Sequence, residues 1–457
     1  MSRKTTGAAG LILLIGCLTG IPVYPAQGDD DPLPAAQTVI QEPSPSPYEQ
    51  TERPAPHVDD PPPATSPQFH PQAPTATQAE PPDVATAASG DLITAIMQLR
   101  EALRRQPDLV QVRLDLGSAL YQLGDLDSAI ETFHEAVRRS PDFSDARIKL
   151  ATALMAKHEW GGAREELEHA LAQHPDLPHA LYALGIVRYR LGDHAGAIEA
   201  YRRLLLLTPG YADAHYNLGL VLKLANQDEP AAYEFLAAAA AGLPHAQYFL
   251  GAAYAAGLGI ERNLPAAIGW WFRAADQGES QAREALAQLR RAALLKGPQS
   301  TEETRAAFAE FRAALWRDFP DLPRAGAGDS VGVTLLEHGR VKEAVPVLIR
   351  EGAALSESAQ SALEVVYEHG IAGQVDPYDV RILASWKTLA DEGLPRPRLA
   401  LARVYSRGLG VPQDVRKAAG LLKHVTGEAA KELLKEITAM QPTGAQAARN
   451  TTSHPLP

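Results

Sequence analysis

The sequence predicts an all-α protein in which helix–turn–helix repeats stack into a right-handed α-solenoid. Three kinds of residue recur at a fixed interval of 34 positions. They are prolines (Pro107, Pro141, Pro175, Pro209), alanines (Ala129, Ala163, Ala197, Ala231) and small residues (Gly117, Ala151, Gly185, Gly219). A constant period of this length indicates one supersecondary unit, repeated, that buries its apolar face only by stacking against its neighbours.

The first residues have the pattern of an export signal. Two basic residues precede a short apolar run from Gly7 to Ile15, which is the order of charge and hydrophobicity in a secretory signal. Leu14-Ile15-Gly16-Cys17 then resembles a bacterial lipobox, and Cys17 is the only cysteine of the chain. The resemblance implies lipidation at Cys17 and an exported protein anchored to a membrane of the cell envelope, facing the periplasm. An uncleaved anchor over residues 7–26 and a cleaved, soluble periplasmic form are the alternatives.

A disordered, acidic, proline-rich linker is predicted for residues 18–90, after a signal peptide of residues 1–17. Between residues 24 and 88 there are ten acidic side chains and a single basic one, Arg53. The segment has no apolar periodicity, so burial cannot offset the entropy lost on ordering. The rest of the chain is close to neutral, and it therefore predicts no basic face for nucleic acid.

The 34-residue pattern over residues 91–243 resembles tetratricopeptide repeats. In that family two antiparallel helices cross closely, which explains the small residues at the crossing points. Large side chains follow each alanine by four residues, on the same helix face: Phe133, Leu167, Tyr201 and Phe235. Four complete units fit residues 110–243, and residues 91–106 supply a single helix as a cap. Arg188 is atypical, because it lies where the family usually has an apolar residue.

Residues 244–437 resemble Sel1-like repeats, a related family with a longer turn between the two helices. Three copies are marked by a tyrosine and two glycines: Tyr254 with Gly257 and Gly259, Tyr367 with Gly370 and Gly373, and Tyr405 with Gly408 and Gly410. The first two tyrosines are 113 residues apart, which leaves room for two degenerate units. A break is predicted near residues 319–330, which include Pro320 and Pro323, and a disordered tail over residues 438–457.

A partner groove is predicted on the first helices of the tetratricopeptide repeats, which line the concave face of the stack in that family. The predicted groove consists of Tyr121, Met155, Tyr182, Ile186, Tyr189, Tyr216, Leu220 and Lys223. Tyrosines supply rigid contact area together with a hydroxyl, and such a groove suits a helix or an extended peptide. The alternative is that these tyrosines only pack between repeats. Binding would then lie in the Sel1-like part, near Trp270, Trp271 and Trp386.

Residues for catalysis or metal binding do not form a pattern in this sequence. A single cysteine allows neither an intramolecular disulfide nor a cysteine zinc site. His169, His174 and His179 are spaced by five, which scatters them around a helix and a turn. No enzymatic activity, metal or cofactor is therefore predicted. Protein partners are expected, with a membrane contacted through the lipid anchor and no nucleic acid, and the oligomeric state stays open.

The combination of both repeat types with a lipobox resembles bacterial envelope scaffolds. The resemblance implies a protein–protein interaction scaffold in exopolysaccharide export of the alginate type, or in pilus or secretion assembly. A regulatory subunit of an envelope enzyme and a chaperone-like holder of secreted proteins are the alternative functions.

Overall fold

A computed structural model describes residues 82–294, 299–323 and 330–440 of the chain. The predicted signal peptide with Cys17, residues 18–81 of the predicted linker and the tail after Met440 lie outside these residues. Within them the secondary structure is helical apart from one isolated antiparallel bridge between Ile371 and Val375, so the predicted all-α fold is confirmed. None of the helices in these ranges combines the length and the apolar character needed to cross a membrane.

The contacts divide the chain into two compact units. The first unit contains the described residues up to Gln247 together with Leu258–Ile260, and the second contains Tyr248–Gly257 and the described residues from Glu261 onward. Helices of the first unit are α1 Pro82–Arg105, α2 Val110–Leu123, α3 Leu126–Arg139, α4 Ser144–Ala156, α5 Trp160–Gln173, α6 Pro178–Arg190, α7 His194–Leu207, α8 Ala212–Leu224 and α9 Asp228–Ala240. Helix α10, Pro244–Ala256, contains the boundary.

The described residues of the second unit form ten more helices and one 3-10 turn. They are α11 Leu264–Asp276, α12 Ser280–Leu294, α13 Gln299–Ala314, the 3-10 turn Leu315–Asp318, α14 Val331–Glu337, α15 Val341–Ala353, α16 Glu357–His369, α17 Val380–Asp391, α18 Pro395–Arg407, α19 Val415–Leu422 and α20 Glu428–Met440. Consecutive helices pack against each other from α1 to α9, from α11 to α13 and from α14 to α20. Two helix pairs, α12 with α13 and α14 with α15, occupy the stretch where two degenerate units are predicted.

The helix crossings of the first unit have the predicted small residues. Gly185 on α6 packs on the ring of Tyr201 on α7, and a Cβ added to Gly185 would lie 2.5 Å from that ring. The equivalent pairs are Gly117 with Phe133 and Gly219 with Phe235. The alanines of the 34-residue series are all buried: Ala129, Ala163, Ala197 and Ala231. The predicted register is therefore confirmed, because no larger residue fits at these crossings.

A short turn closes each helix pair of the first unit. The N–H of Asp125 donates to the carbonyl of Leu120, five residues earlier, at 3.0 Å. The same bond joins Glu159 to Leu154, Asp193 to Arg188 and Gln227 to Leu222. One residue of each turn has left-handed backbone: Gly124, His158, Gly192 and Asn226. Glycine and asparagine adopt this conformation most readily, which explains three of these four residues.

The longer turn that follows α10 keeps the same closing bond over a greater distance. The N–H of Asn263 donates to the carbonyl of Tyr254 at 2.9 Å, nine residues earlier. The bond between Asp414 and Tyr405 repeats this spacing at 2.8 Å. Four residues are therefore inserted relative to the first unit. Gly259 of this insertion lies directly on α9, where an added Cβ would be 2.0 Å from the carbonyl oxygen of Asp228.

At each boundary between successive repeats of the first unit, a side chain donates a hydrogen bond to a proline carbonyl. Arg113 donates to Pro107 at 2.6 Å, Arg147 to Pro141 at 3.0 Å and a ring nitrogen of His215 to Pro209 at 2.8 Å. The two partners are six residues apart in each case. Pro175 instead receives its bond from Arg203, at 2.8 Å. We call these four contacts the junction bonds.

The second unit contains ion pairs between residues far apart in the sequence. The guanidinium of Arg290 on α12, 5% exposed, donates to both carboxylate oxygens of Glu392 at 2.6 Å. These two residues are 102 positions apart. Arg350 on α15 pairs with Asp276 at 2.5 Å, across 74 positions. Both pairs join residues on opposite sides of the predicted break, of which residues 324–329 lie outside the described ranges.

Candidate partner groove

The predicted groove residues lie on α2, α4, α6 and α8, the first helices of the four repeats. Within α6, Tyr182, Ile186 and Tyr189 are spaced by four and three residues, so they share one face of the helix. Tyr216, Leu220 and Lys223 repeat this spacing on α8. Tyr121 is exposed (37%), and the other predicted residues are half-buried.

Tyr182 is held in place from three sides. Its ring centroid lies 5.2 Å from that of Tyr211 and 6.1 Å from that of Tyr201. The side-chain amide of Asn217, on the next first helix, donates to the Tyr182 hydroxyl at 3.1 Å. Burial raises the pKa of Tyr182 to about 12, so the phenol stays neutral. Tyr182 therefore both packs between repeats and presents a fixed, partly exposed ring.

Helix α8 provides the last part of the predicted groove. The ring of Tyr216 lies 6.2 Å from Phe235 on α9 and 6.2 Å from His245 on α10. Burial lowers the pKa of Lys223 from its usual value, since desolvation disfavours the charged ammonium. An ammonium group in such a half-buried place gains more from a bound carboxylate than a fully solvated one does.

The part of the groove nearest the N-terminus contains Tyr121 and Met155, on α2 and α4. Between these helices the ammonium of Lys149 donates to the Ser118 hydroxyl at 3.2 Å. This bond links neighbouring first helices in the same way as the bond from Asn217 to Tyr182. Lys149 and Asn217 were not predicted as groove residues, although they lie 68 positions apart, twice the repeat length.

Arg188 is directed toward the second helices of the repeats. Its guanidinium donates to the Gly196 carbonyl and to Glu168, each at 3.1 Å. The acidic side chains of Asp193 and Glu199 lie within 3.8 Å of it. The atypical residue therefore has a structural role in the first unit. Its neighbour Tyr189 lies with its ring 6.0 Å from that of His194 on α7.

Family models match the whole tetratricopeptide pattern and two segments of the Sel1-like pattern. A model described as the cytochrome c-type biogenesis protein H TPR domain matches residues 76–214. A tetratricopeptide repeat model matches residues 187–246, and the Sel1 repeat model matches residues 244–279 and 398–423. The chain carries tetratricopeptide repeats followed by Sel1 repeats. Both kinds of repeat build protein–protein interaction scaffolds, and this chain is such a scaffold.

Solved structures resemble parts of this repeat protein. MamA is 26% identical, with a TM-score of 0.33, over 37% of this chain and 100% of its own. A Sel1 repeat protein from Oxalobacter formigenes is 21% identical, with a TM-score of 0.35, over 79% of this chain and 93% of its own. The pilF protein of Pseudomonas aeruginosa is 21% identical, with a TM-score of 0.36, over 50% of this chain and 96% of its own. No curated protein matches the sequence. All three TM-scores are below 0.5.

The tryptophans predicted as a second place for binding are mostly buried in the Sel1 repeats. Trp271 and Trp386 are each 1% exposed. Their indole N–H groups donate to the Tyr248 carbonyl and to the Gln360 side chain, at 3.1 and 3.2 Å. Because their rings are enclosed by the repeat, these two residues cannot themselves anchor a partner, and binding elsewhere in their neighbourhood stays a prediction. Trp270 is half-buried beneath the guanidinium of Arg273, 4.7 Å from its ring centroid.

In the part of the chain that the structure describes, no group of three or more histidine, cysteine or acidic side chains is placed to hold a metal ion. The pKa shifts that matter in the groove come from burial of Tyr182 and Lys223. The arrangement of side chains is suited to binding.

Proposed function

We propose that this protein is a non-enzymatic envelope scaffold that binds a helical or extended segment of a partner protein in the predicted groove. The observation that carries the proposal is the row of half-exposed tyrosine and aliphatic side chains repeated on α6 and α8. Anchors that are already fixed lose little conformational entropy on binding. Tyr182 meets this condition, because Asn217 and Tyr211 hold its ring in place before any partner arrives.

Membrane tethering through Cys17 is the second part of the proposal. Its support is the sequence Leu14-Ile15-Gly16-Cys17 behind a short apolar run. A lipidated N-terminus followed by a long acidic, proline-rich segment would hold the repeats at a distance from the membrane. We propose exopolysaccharide export of the alginate type, or pilus or secretion assembly, as its setting. The alternatives are a regulatory subunit of an envelope enzyme and a holder of secreted chains. Identifying the partner would distinguish these functions.

The groove is tested with two matched charge substitutions. Leu220 is half-buried in the groove on α8, whereas Leu206 is 63% exposed on the second helix α7. Leu220→Glu should lower partner recovery at least about 10-fold, because a charge must be desolvated where a partner would pack. Leu206→Glu should leave recovery unchanged. The measurement is a quantitative crosslinking pull-down from envelope extract.

Circular dichroism and thermal melts of both variants must match the wild type, so that loss of folding is not mistaken for loss of binding. If recovery falls only with Leu206→Glu, the partner binds the second helices. If the two variants recover the partner as the wild type does, the groove tyrosines serve packing alone.

The tether is tested by Cys17→Ser. The variant should leave the membrane fraction, because the serine hydroxyl cannot take the place of the acylated thiol. Fractionation followed by immunoblotting measures the change in membrane association, with the wild-type protein as the reference. A variant that stays in the membrane fraction unprocessed would identify the apolar N-terminal segment itself as the anchor.

A further inference from the structure

His215 makes two hydrogen bonds at the boundary between the third and fourth tetratricopeptide repeats. It lies on α8, with its Nε2 atom 2.8 Å from the carbonyl oxygen of Pro209, which ends the third repeat. Its Nδ1 atom lies 2.6 Å from a carboxylate oxygen of Glu234 on α9. The side chain is 18% exposed. One imidazole ring therefore ties both helices of the fourth repeat to the end of the third.

The two bonds can form at the same time in only one protonation state of the ring. A carbonyl oxygen and an ionised carboxylate only accept hydrogen bonds, and a neutral imidazole has a single N–H to donate. The ring can satisfy both acceptors only as the imidazolium cation. When His215 loses its proton, one of the two bonds is lost.

Arg147 forms the same pair of contacts two junctions earlier in the register. Its guanidinium donates to the Pro141 carbonyl at 3.0 Å and to Glu166 on α5 at 2.6 Å. In both repeats the acid follows the basic residue by 19 positions. Arginine stays charged throughout the physiological range, so this junction bond does not depend on pH.

We propose that His215 makes the boundary between the third and fourth repeats a pH-sensitive joint, closed while the imidazole is protonated and loosened when it is neutral. The Arg147 boundary, built with the same geometry, stays closed over the same pH range. Because α8 also holds Tyr216, Leu220 and Lys223, loosening would change the predicted groove, and this consequence alone rests on the proposed function.

The charges around His215 support the proposal. Glu234 is the acid that reaches the ring from α9, and Asp213 lies one half-turn earlier on α8 itself. From α7, Arg203 is directed to the Pro175 carbonyl, so its guanidinium is bound at another junction. On α6, the Tyr182 hydroxyl is occupied by Asn217. The bond to Glu234 raises the pKa of His215, against the opposing effect of burial.

The sign of the effect follows from the raised pKa. The stabilisation from His215 is complete below the pKa of an unfolded histidine, about 6.5, and is lost as pH rises through the higher pKa of the folded state. The chain contains 14 histidines, so the effect of His215 is isolated by comparison between variants.

Two reciprocal substitutions in the full chain isolate it. His215→Arg should remove the pH dependence of this joint, and Arg147→His should create one at the earlier boundary. We expect the wild-type melting temperature to fall by about 2–4 °C more than that of His215→Arg between pH 6 and pH 9. Arg147→His should fall further than the wild type by a similar amount. Amide hydrogen exchange in α8 and α9 then locates the change.

The exchange rates are corrected for the intrinsic pH dependence of amide exchange, and circular dichroism at pH 6 checks that both variants fold. Smaller pH dependence in His215→Arg together with larger dependence in Arg147→His supports the joint. The proposal is overturned if His215→Arg keeps the wild-type dependence, or if Arg147→His acquires none. Neither measurement needs the partner, so the test is independent of the groove.

Discussion

The two units differ in the sequence separation of the side chains that are bonded within each of them. In the first unit, the side-chain bonds described between neighbouring repeats join residues 6–35 positions apart, as from Arg147 to Pro141 and from Asn217 to Tyr182. In the second unit, the pair of Arg290 and Glu392 spans 102 positions. Nearest-neighbour contacts let repeats open one at a time, whereas a long-range pair couples many helices. The difference predicts gradual unfolding of the first unit and more cooperative unfolding of the second.

The largest expected effect comes from breaking the long-range pair. Arg290→Met leaves Glu392, with its side chain only 11% exposed, as an unpaired buried carboxylate. We expect the free energy of unfolding of the second unit to fall by about 3–5 kcal/mol. Urea unfolding followed by tryptophan fluorescence measures it, because four of the five tryptophans lie in that unit.

A matched control for this prediction is Arg350→Met, which breaks a pair whose arginine is 39% exposed. An exposed pair contributes about 0–1 kcal/mol, so this variant should unfold almost as the wild type does. Equal effects from the two arginine substitutions would mean that the buried pair does not couple the helices of the second unit.

The next effect concerns the inserted turn. Gly259→Ala places a Cβ 2.0 Å from the Asp228 carbonyl oxygen, at a residue whose φ is +69°. Overpacking and a left-handed backbone together should cost about 2–4 kcal/mol. Gly192→Ala is the control, since its φ is +79° but no atom lies within 4 Å of the added Cβ. If thermal melts give Gly259→Ala and Gly192→Ala the same melting temperature, the contact with α9 can relax.

A smaller effect is expected at a helix crossing of the first unit. Ala197 is fully buried, and Ala197→Leu should lower the free energy of unfolding by about 1–3 kcal/mol through overpacking. If the first unit opens repeat by repeat, hydrogen exchange should speed up mainly in α6 to α9. Faster exchange throughout the first unit, reaching α2 and α3, would contradict local opening.

The smallest effect is expected on the first helices of the Sel1 repeats. Glu364 on α16 accepts from Arg396 at 3.2 Å and from Arg403 at 2.9 Å, both on α18. These side chains are 20–36% exposed, so Glu364→Gln should cost less than about 1 kcal/mol. The cost should shrink at high salt. A cost that is larger and unaffected by salt would point to a desolvated pair of the kind seen at Arg290.

The sequence predicts the contacts that recur in every repeat, but not the contacts that occur only once. The 34-residue series places Gly185 against Tyr201 because the same geometry recurs in every unit. Arg290 and Glu392 could not be paired in this way, since periodicity describes neighbours only. Side-chain direction was also out of reach, as Arg188 shows by turning to the second helices. For the predicted groove, the sequence shows which helices contain its residues, but not the bond from Asn217 that fixes Tyr182.

The inserted turn has a consequence for how such chains are assembled. In both kinds of repeat the N–H at the start of the second helix is bonded to the carbonyl of the same residue position, Leu120 or Tyr254. Only the length of chain between donor and acceptor differs, five residues against nine. The two kinds of repeat therefore begin and end their turns at equivalent positions of the helix pair. An engineer could shorten residues 257–260 or graft them into an earlier turn, and exchange one module for the other without redesigning its neighbours.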